Sequence, residues 1–398
     1  MDQDSIKSIA ILGRQPKLGI AEFESLYGAA SVSHFSEHAA LLSLDPEQID
    51  FNRLGGSLRI SRVIAKLPSA KWNDIEKYIL QKAPELAEGI DGKLKFGISA
   101  FGPNYRKQAI AKTALLLKKA IKQTGQSVRM VPHKDIALGS AVVLHNGLIK
   151  QNGRELLIVS DGQTAYLAQT TNVQDIDSYT ERDRHRPFRD AKVGMLPPKL
   201  AQIIINLGVG DAKYQKPQVL DPFCGTGVLL QEAMLMNYDI YGSDLEPRMV
   251  EYSIDNLTWL DGKYPDAGDY RRVEIGNATS HQWNQPQNIT TVACETFLGQ
   301  PLSTLPNGEH LSKIMHEVNQ LHHRFLANLS AQIPSGTRMC LAIPTWRGKR
   351  EFLHLSVLDY LTDIGYTRVR FKHVSDTDLI YHRDNQVVGR ELLVLVKD

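Results

Sequence analysis

The sequence predicts an α/β protein: a doubly wound, seven-stranded domain in the C-terminal half, preceded by an α+β N-terminal region. Three observations lead there. Beyond residue 190, short apolar runs alternate with amphipathic helical ones to the end of the chain, the pattern of a largely parallel sheet covered by helices. One run, VLD at 219–221, passes through a glycine-bearing turn straight into a helical stretch, the strand–turn–helix order of a ligand-binding sheet edge. The first 175 residues mix strands and helices less regularly, and their pattern restarts near Gly89.

In chain order, IKSIAILG and ALLSL read as strands and LGIAEFESLY and WNDIEKYILQKA as amphipathic helices, with Gly55 and Gly56 punctuating a first unit over 1–88. A second unit over 89–175 opens with the strand LKFGISAFG, broken by Gly102 and Pro103. Ile110, Ala114, Leu117 and Ile121 then recur at helical spacing over 106–123, and Gly125 ends that helix. VRMVP, GSAVVLHNG, RELLIVSDG and TAYLAQTT follow as strands. The polar run 176–190, with YTERDRHRPFRD, reads as a linker. In the domain over 191–398 the strands are PQVLD, DIYGS, RRVEIG, ITTVAC, TRMCLAIP, TRVRFKHV and ELLVLV, the last two a hairpin. Its helices centre near Leu200, Leu230, Tyr252, Val318 and Leu355.

Composition narrows the function classes. With 398 residues, 42% of them hydrophobic, the chain can build more than one core. It holds no run of about 18 apolar residues that would span a membrane. The opening MDQDSIKSIAILG lacks a basic-then-apolar signal layout. Cys224, Cys294 and Cys340 are too few and too scattered for a disulfide framework or zinc site, so a reducing, cytoplasmic setting and no metal are expected. The net charge of +2 conceals a one-sided stretch. From Asp91 to Lys134 ten Lys and Arg face one acid, a sum of +9 (10 − 1). Lys107, Lys112, Lys118, Lys119, Lys122, Arg129 and Lys134 lie on or beside its helix. Such a face suits a polyanion, because neutralising phosphates releases counterions; a solvated helix face is the plainer account.

The chemistry centres on VLDPFCGTGVLLQEA, residues 219–233. A buried strand ends at Asp221, the chain turns at Gly225 and Gly227, and a helix begins. Glycines there let backbone approach a ligand, and Asp221 offers an acceptor. The turn lacks a phosphate-loop lysine and the full G-x-G-x-x-G spacing, and an acid at the strand end repels pyrophosphate. The expected ligand is therefore a nucleoside with an amino-acid tail. Asp244, 23 positions on (244 − 221), closes the second strand; it can accept from both ribose hydroxyls or cap the following helix. After the third strand, Asn277 and Ala278 stand where an adenine edge would be read, although a Gly-Asn turn is common in any case.

D-P-F-C-G-T-G with a downstream Y-G-x-D resembles the RNA-directed S-adenosylmethionine-dependent methyltransferases, whose domain is Rossmann-like. The segment RPFRDAKVGMLPPKLAQIIINL resembles the lead-in helix of the THUMP-domain-containing tRNA guanosine N2-methyltransferases. The basic stretch resembles their THUMP domain, which binds the acceptor end of tRNA, and LGRQPKLGIAEFESL their N-terminal ferredoxin-like region. The resemblance implies S-adenosylmethionine held by Asp221, Phe223, Gly225, Thr226, Gly227, Asp244, Leu245, Asn277 and Ala278, with tRNA as the substrate. Some eukaryotic relatives work with a small activator protein, a need this sequence neither shows nor excludes.

One place departs from that family. Its members end the fourth strand with D-P-P-Y or N-P-P-Y, in which the acid and a carbonyl hold the exocyclic amine and the aromatic stacks on the base. Here the stretch reads VACETFLG. Glu295 stands for the acid, Thr296 and Phe297 for the prolines, and Leu298 for the aromatic. A glutamate still accepts from the amine, but its extra methylene moves the carboxylate by roughly 1 Å, a misplacement that can cost about 100-fold in rate. Glu295 is the expected catalytic acceptor, with Phe297 stacking on the base.

Rival readings are a non-catalytic tRNA-binding protein with a degenerate site, a DNA amino-methyltransferase, and a small-molecule methyltransferase. Cys294 as a nucleophile is the weaker idea, since a cysteine ending a buried strand is usually core. Trp346, Arg347, Lys349 and Arg350, and separately Tyr381, His382, Arg383 and Arg390, are further RNA-contact candidates or solvated basic loops. His316, His322 and His323 share one helix without a zinc-protease arrangement and read as surface or packing residues.

Overall fold

The computed structural model describes residues 5–132, 134–190, 196–211, 217–265, 267–268, 271–384 and 386–398. Residues 191–195 of the lead-in segment and 1–4 of the opening segment lie outside these. The chain divides into two compact units, one of residues 1–20, 29–52 and 56–178, the other of 21–28, 53–55 and 179–398.

The first unit is built on one eight-stranded sheet. Its strands are β1 (Ser8–Leu12), β2 (Val32–Ser36), β3 (Ala39–Leu42), β4 (Ser57–Lys66), β5 (Leu94–Phe101), β6 (Val128–Met130), β7 (Gly153–Ser160) and β8 (Ala165–Val173), in spatial order β2-β3-β1-β4-β8-β7-β5-β6. Because β4 pairs antiparallel with β8, strands from the 1–88 and 89–175 segments join in a single sheet. Alternation along β7 feeds two cores: Leu156 and Ile158 pack with Phe96 and Leu117, whereas Leu157 and Val159 pack with Ile9 and Tyr166. Near the sheet's middle Arg59 is buried against Glu155, whose Oε1 also accepts from Ser99 Oγ at 2.5 Å.

Helices of this part of the chain are α1 (Pro16–Tyr27), α2 (Trp72–Gln81), α3 (Ala83–Ala87), α4 (Lys107–Gln123) and α5 (Ser140–His145). On α4, Ile110, Ala114, Leu117 and Ile121 are fully buried, as their spacing predicts. The helix α5 replaces the strand expected in GSAVVLHNG. Val143 and Leu148 pack with Val131, Leu138 and Val173, and Gly147, at φ 67°, turns the chain away. This one-sided contact overrides the β preference of the paired valines. The expected linker also contains structure: α6 (Ile176–Arg184) buries Arg182 against Glu232, Nε to Oε1 2.7 Å. Its charges looked like solvated linker because the sequence does not show that one is paired inside.

The second unit carries α7 (Pro198–Val209), β9 (Gln218–Asp221), α8 (Val228–Leu235), β10 (Asp239–Asp244), α9 (Pro247–Lys263), β11 (Arg271–Ile275), β12 (Thr291–Glu295), α10 (Gly308–Ser330), β13 (Arg338–Arg347), β14 (Phe352–Leu353), β15 (Tyr366–Arg368), β16 (Ile380–Tyr381) and β17 (Val388–Lys397). The sheet runs β11-β10-β9-β12-β13-β17-β15, with β14 on β13 and β16 on β17. The first five strands are parallel, and β17 is antiparallel to both β13 and β15. Val292, Leu341 and Leu393 of the sheet meet Val318, Phe325 and Leu329 of α10 in one core. Near Leu355 the expected helix is reduced to 3₁₀ turns at Ser356–Tyr360 and Thr362–Ile364, stopped by Gly365 at φ 88°.

From β9 the chain builds outward through β10 and β11, then returns to place β12 on the other side of β9. Connections therefore diverge between β9 and β12, which opens a crevice at their carboxyl ends.

Candidate functional site: the cleft at the strand ends

A cavity of about 510 Å³ fills that crevice, lined among others by Asp221, Asp244, Asn277, Glu295, Phe297 and Leu245. Asp221 is 2% exposed at the end of β9. Its Oδ1 accepts from Phe223 N at 3.0 Å. Burial pushes its carboxyl well above the usual range, and the charges of Asp244 and Glu295 push the same way. A carboxyl so placed favours a positively charged neighbour.

The turn after Asp221 uses its glycines for conformation and for space. Gly225 and Gly227 have φ of 50° and 78°, and a Cβ on Gly227 would lie 2.4 Å from Ser253 Oγ. Asp244 ties this turn to β10, its Oδ2 accepting from Gly225 N at 2.8 Å and its Oδ1 from Glu246 N at 3.0 Å. Burial raises its pKa as well. Each of its oxygens retains a further lone pair for a ligand. Leu245 beside it is 61% exposed, an apolar surface on the cavity wall. Phe223 stands edge-on to Phe325, centroids 4.9 Å apart. Asn277 forms the Gly-Asn turn: its Oδ1 accepts from Thr279 N at 3.0 Å and Thr279 Oγ1 at 2.8 Å, which leaves its amide nitrogen to offer. Ala278 is buried, and its carbonyl accepts from Asn328 Nδ2 at 2.9 Å.

Opposite these residues, β12 ends at Glu295. Two features of this wall were missed in the sequence. First, Glu295 Oε1 accepts from Arg390 Nε of β17, so a candidate RNA contact is instead the partner of the candidate catalytic acid. Second, Thr296 Oγ1 lies 2.7 Å from His322 Nε2, while His322 Nδ1 lies 2.8 Å from the Val318 carbonyl. The carbonyl can only accept, so Nδ1 carries the proton and Nε2 takes the Thr296 hydroxyl. Burial pushes the His322 pKa down to about 4, which keeps the ring neutral. This bond fixes the loop where the family would use two prolines. The signal was present: Val318, His322, Phe325 and Leu329 fall on one apolar stripe. Phe297, 40% exposed, lines the cavity.

Other candidates separate from this site. Cys294 is fully buried, and burial drives its thiol far from ionisation, so it is core. Trp346 is also fully buried, which removes it as an RNA platform. Arg347 donates to the Asp384 carbonyl at 2.9 Å, and Lys349 and Arg350 are exposed. Tyr381 is half-buried in β16 beneath Arg390, 6.0 Å from guanidinium carbon to ring centroid. His316 and His323 are exposed surface residues. In the first unit, Lys107, Lys112, Lys119, Lys122, Arg129 and Lys134 are exposed and Lys118 half-buried. Among the described residues no helix is long and apolar enough to cross a membrane.

No family model matches the chain. The tRNA (guanine(10)-N2)-dimethyltransferase of Methanothermobacter thermautotrophicus is 30% identical over 166 residues, 41% of this chain and 42% of that protein. The enzyme of the same description from Pyrococcus abyssi is 38% identical over 94 residues, 24% of this chain and 25% of that protein. The chain thus spans less than half the length of these relatives. The solved structure of TrmN from Thermus thermophilus matches 99% of this chain and 100% of its own at a TM-score of 0.51 and 16% identity. The second unit has a Rossmann-like fold. Over the part that matches, the chain is similar to the tRNA guanine-N2 methyltransferases. In this fold the crevice between β9 and β12 is the place where such a sheet takes its ligand.

Proposed function

We propose that the chain is an S-adenosylmethionine-dependent tRNA methyltransferase acting on the exocyclic N2 of a guanosine. One observation carries this reading: a single cleft gathers Asp221, Asp244 and Asn277 on one side and Glu295 with Phe297 on the other, in a chain similar to guanine-N2 methyltransferases. The cleft's volume is that of a small-molecule site, within the usual range of about 300–1,000 Å³. Its groups suit S-adenosylmethionine: Asp221 favours the cationic end, Asp244 has lone pairs for the ribose hydroxyls, and Leu245 with Asn277 offers an apolar face and a donor to the base. Phe223, Gly225, Thr226, Gly227 and Ala278 shape the remaining wall.

When bound, S-adenosylmethionine supplies the electrophilic methyl carbon. Glu295 accepts a hydrogen bond from the guanine N2 amine and takes its proton as the nitrogen gains a methyl group. Phe297 stacks on the base, and the Thr296–His322 bond holds the loop that aims both. The basic face of α4, with Lys107, Lys112, Lys118, Lys119 and Lys122, and nearby Arg129 and Lys134, grips tRNA phosphates in a THUMP-like role.

The test is transfer of labelled methyl from S-adenosylmethionine into unmodified bulk tRNA. Label in N2-methylguanosine is expected, with a loss of at least about 100-fold in Glu295→Ala. A second reading, a tRNA-binding protein without chemistry, is favoured by the Arg390 that occupies Glu295. Cofactor and tRNA binding without any label would select it.

A further inference from the structure

A second cavity of about 370 Å³ in the same unit is lined by Arg184, Arg189, Arg383 and Arg390, with Asp183, Gln386 and Pro197. Among the described residues that line it, four arginines stand with one carboxylate. Arg184, Arg189 and Arg383 are exposed, and among the described residues none of the three forms an ion pair. Between Arg184 and Arg189 in sequence, Arg186 is only 3% exposed, and all three of its guanidinium nitrogens are buried without a hydrogen-bond partner. Burial is what chiefly disfavours its charge; Arg189 adds to this, while Asp183 and Glu232 act the other way without overcoming the burial. Arg186 does not itself line the cavity, but a desolvated guanidinium without a hydrogen-bond partner adds positive potential beside it, which an anion there would relieve. The cavity also shares a residue with the cleft: Arg390 lines it, while its Nε donates to Glu295.

We infer that this cavity binds a phosphodiester of the RNA, and that the phosphate competes for Arg390 and so releases Glu295. The inference rests on the RNA-methyltransferase reading and adds to it a device that couples substrate binding to the acid. Phosphate oxygens accept the planar fork of arginine in paired, charge-assisted hydrogen bonds. Without RNA, Arg390 holds Glu295, and the carboxylate oxygen that accepts from its Nε is engaged there rather than offered to the amine. With a phosphate in the cavity, the Arg390 N–H groups turn to its oxygens. The positive charge beside Glu295 is then neutralised, and the carboxylate is available to the amine. No covalent bond changes in this step.

The experiment follows the Arg390 Nε–H signal by ¹⁵N NMR in the full chain, identified by its loss in Arg390→Lys. It reads the cavity directly and needs no methyl transfer, so its failure and that of the enzymatic reading are separable. A single-stranded oligoribonucleotide is titrated, with unphosphorylated guanosine and inorganic phosphate as the other arms. The expected result is a shift with the oligoribonucleotide alone, its midpoint weakened by about tenfold in Arg383→Gln and largely restored in Arg383→Lys. Arg383 is exposed, so both variants are expected to fold, and unchanged signals from the other arginines check this. No shift with the oligoribonucleotide overturns the inference. An equal shift with inorganic phosphate overturns the RNA assignment and leaves a general anion site.

Discussion

Glu295 and Arg390 meet across a strand that neither belongs to. Glu295 ends β12, Arg390 lies in β17, and β13 runs between them, with Ala342 opposite Glu295 and Pro344 opposite Arg390. Neither intervening residue brings a competing polar side chain. The pair is largely removed from water, its side chains 15% and 9% exposed. Among the described residues, the acid that lines the cleft on the β12 side is therefore held by a cation from a strand that sequence places 95 residues away.

Removing one partner of such a pair strands a charge. Arg390→Gln is expected to lower stability by about 3 kcal/mol, while Glu295→Gln combined with Arg390→Gln recovers most of it. Urea denaturation of the two single variants and the double variant gives the coupling. A coupling below about 0.5 kcal/mol would mean that the two residues act independently.

Asp221 carries the opposite burden. Its pKa is raised by burial, so its contribution to stability is present below its unfolded pKa and is lost as pH rises through the folded one. At neutral pH it opposes folding until a cation joins it. Asp221→Asn is thus expected to raise the melting temperature of the ligand-free protein, more at pH 7.5 than at pH 5, and to weaken S-adenosylmethionine by about tenfold or more. Thermal melts at both pH values and calorimetric titration check this. A variant that melts lower and binds as well as the parent would contradict the role given to the acid.

The sheet and its turn were legible because their signals are local. Asp221, the two turn glycines and Asp244 sit at fixed offsets along consecutive elements, and the seven main strands announce themselves by apolar runs. The Glu295–Arg390 pair was not legible, since it depends on which strand follows β13 in the sheet, a fact of topology. Arg182 and Glu232 escaped notice for a related reason, as charges in a polar run look solvated until a partner is known. GSAVVLHNG failed differently. Six residues of β-favouring composition form a helix because Val143 and Leu148 find one small apolar cluster, a tertiary contact that local propensity does not contain.

The basic face of α4 makes a quantitative prediction about tRNA. Lys112, Lys119 and Lys122 are exposed and, among the described residues, form no ion pairs. If each contacts a phosphate, replacing all three with glutamine flattens the slope of log affinity against log salt by about 0.9 for each contact on duplex RNA. Methyl transfer at saturating tRNA should then be little changed, because no lysine of α4 lines the cleft. Fluorescence-anisotropy titrations across a salt series measure the slope, and an unchanged slope would reduce α4 to a solvated face.

His322 ties stability to pH through the loop that presents Glu295. Its folded pKa, pushed down to about 4 by burial, lies below an unfolded value near 6.5. With the folded value depressed, the unfolded chain binds the extra proton between these limits. The stability His322 permits is therefore complete above about pH 6.5 and falls as pH drops towards 4. A shift of this size corresponds to about 3 kcal/mol over that window. His322→Gln keeps an acceptor for the Thr296 hydroxyl but cannot take the proton, so it should flatten this part of the stability profile. His322→Ala leaves the Thr296 hydroxyl without its nitrogen acceptor and should loosen the loop as well. Methyl transfer by the alanine variant is then expected to fall more through turnover than through tRNA affinity, because Glu295 is misaimed while the basic face is intact. Urea denaturation between pH 4 and 7 and steady-state kinetics at pH 7.5 separate the two effects. Equal acid sensitivity in the parent and in His322→Gln would show that another group governs the low-pH loss.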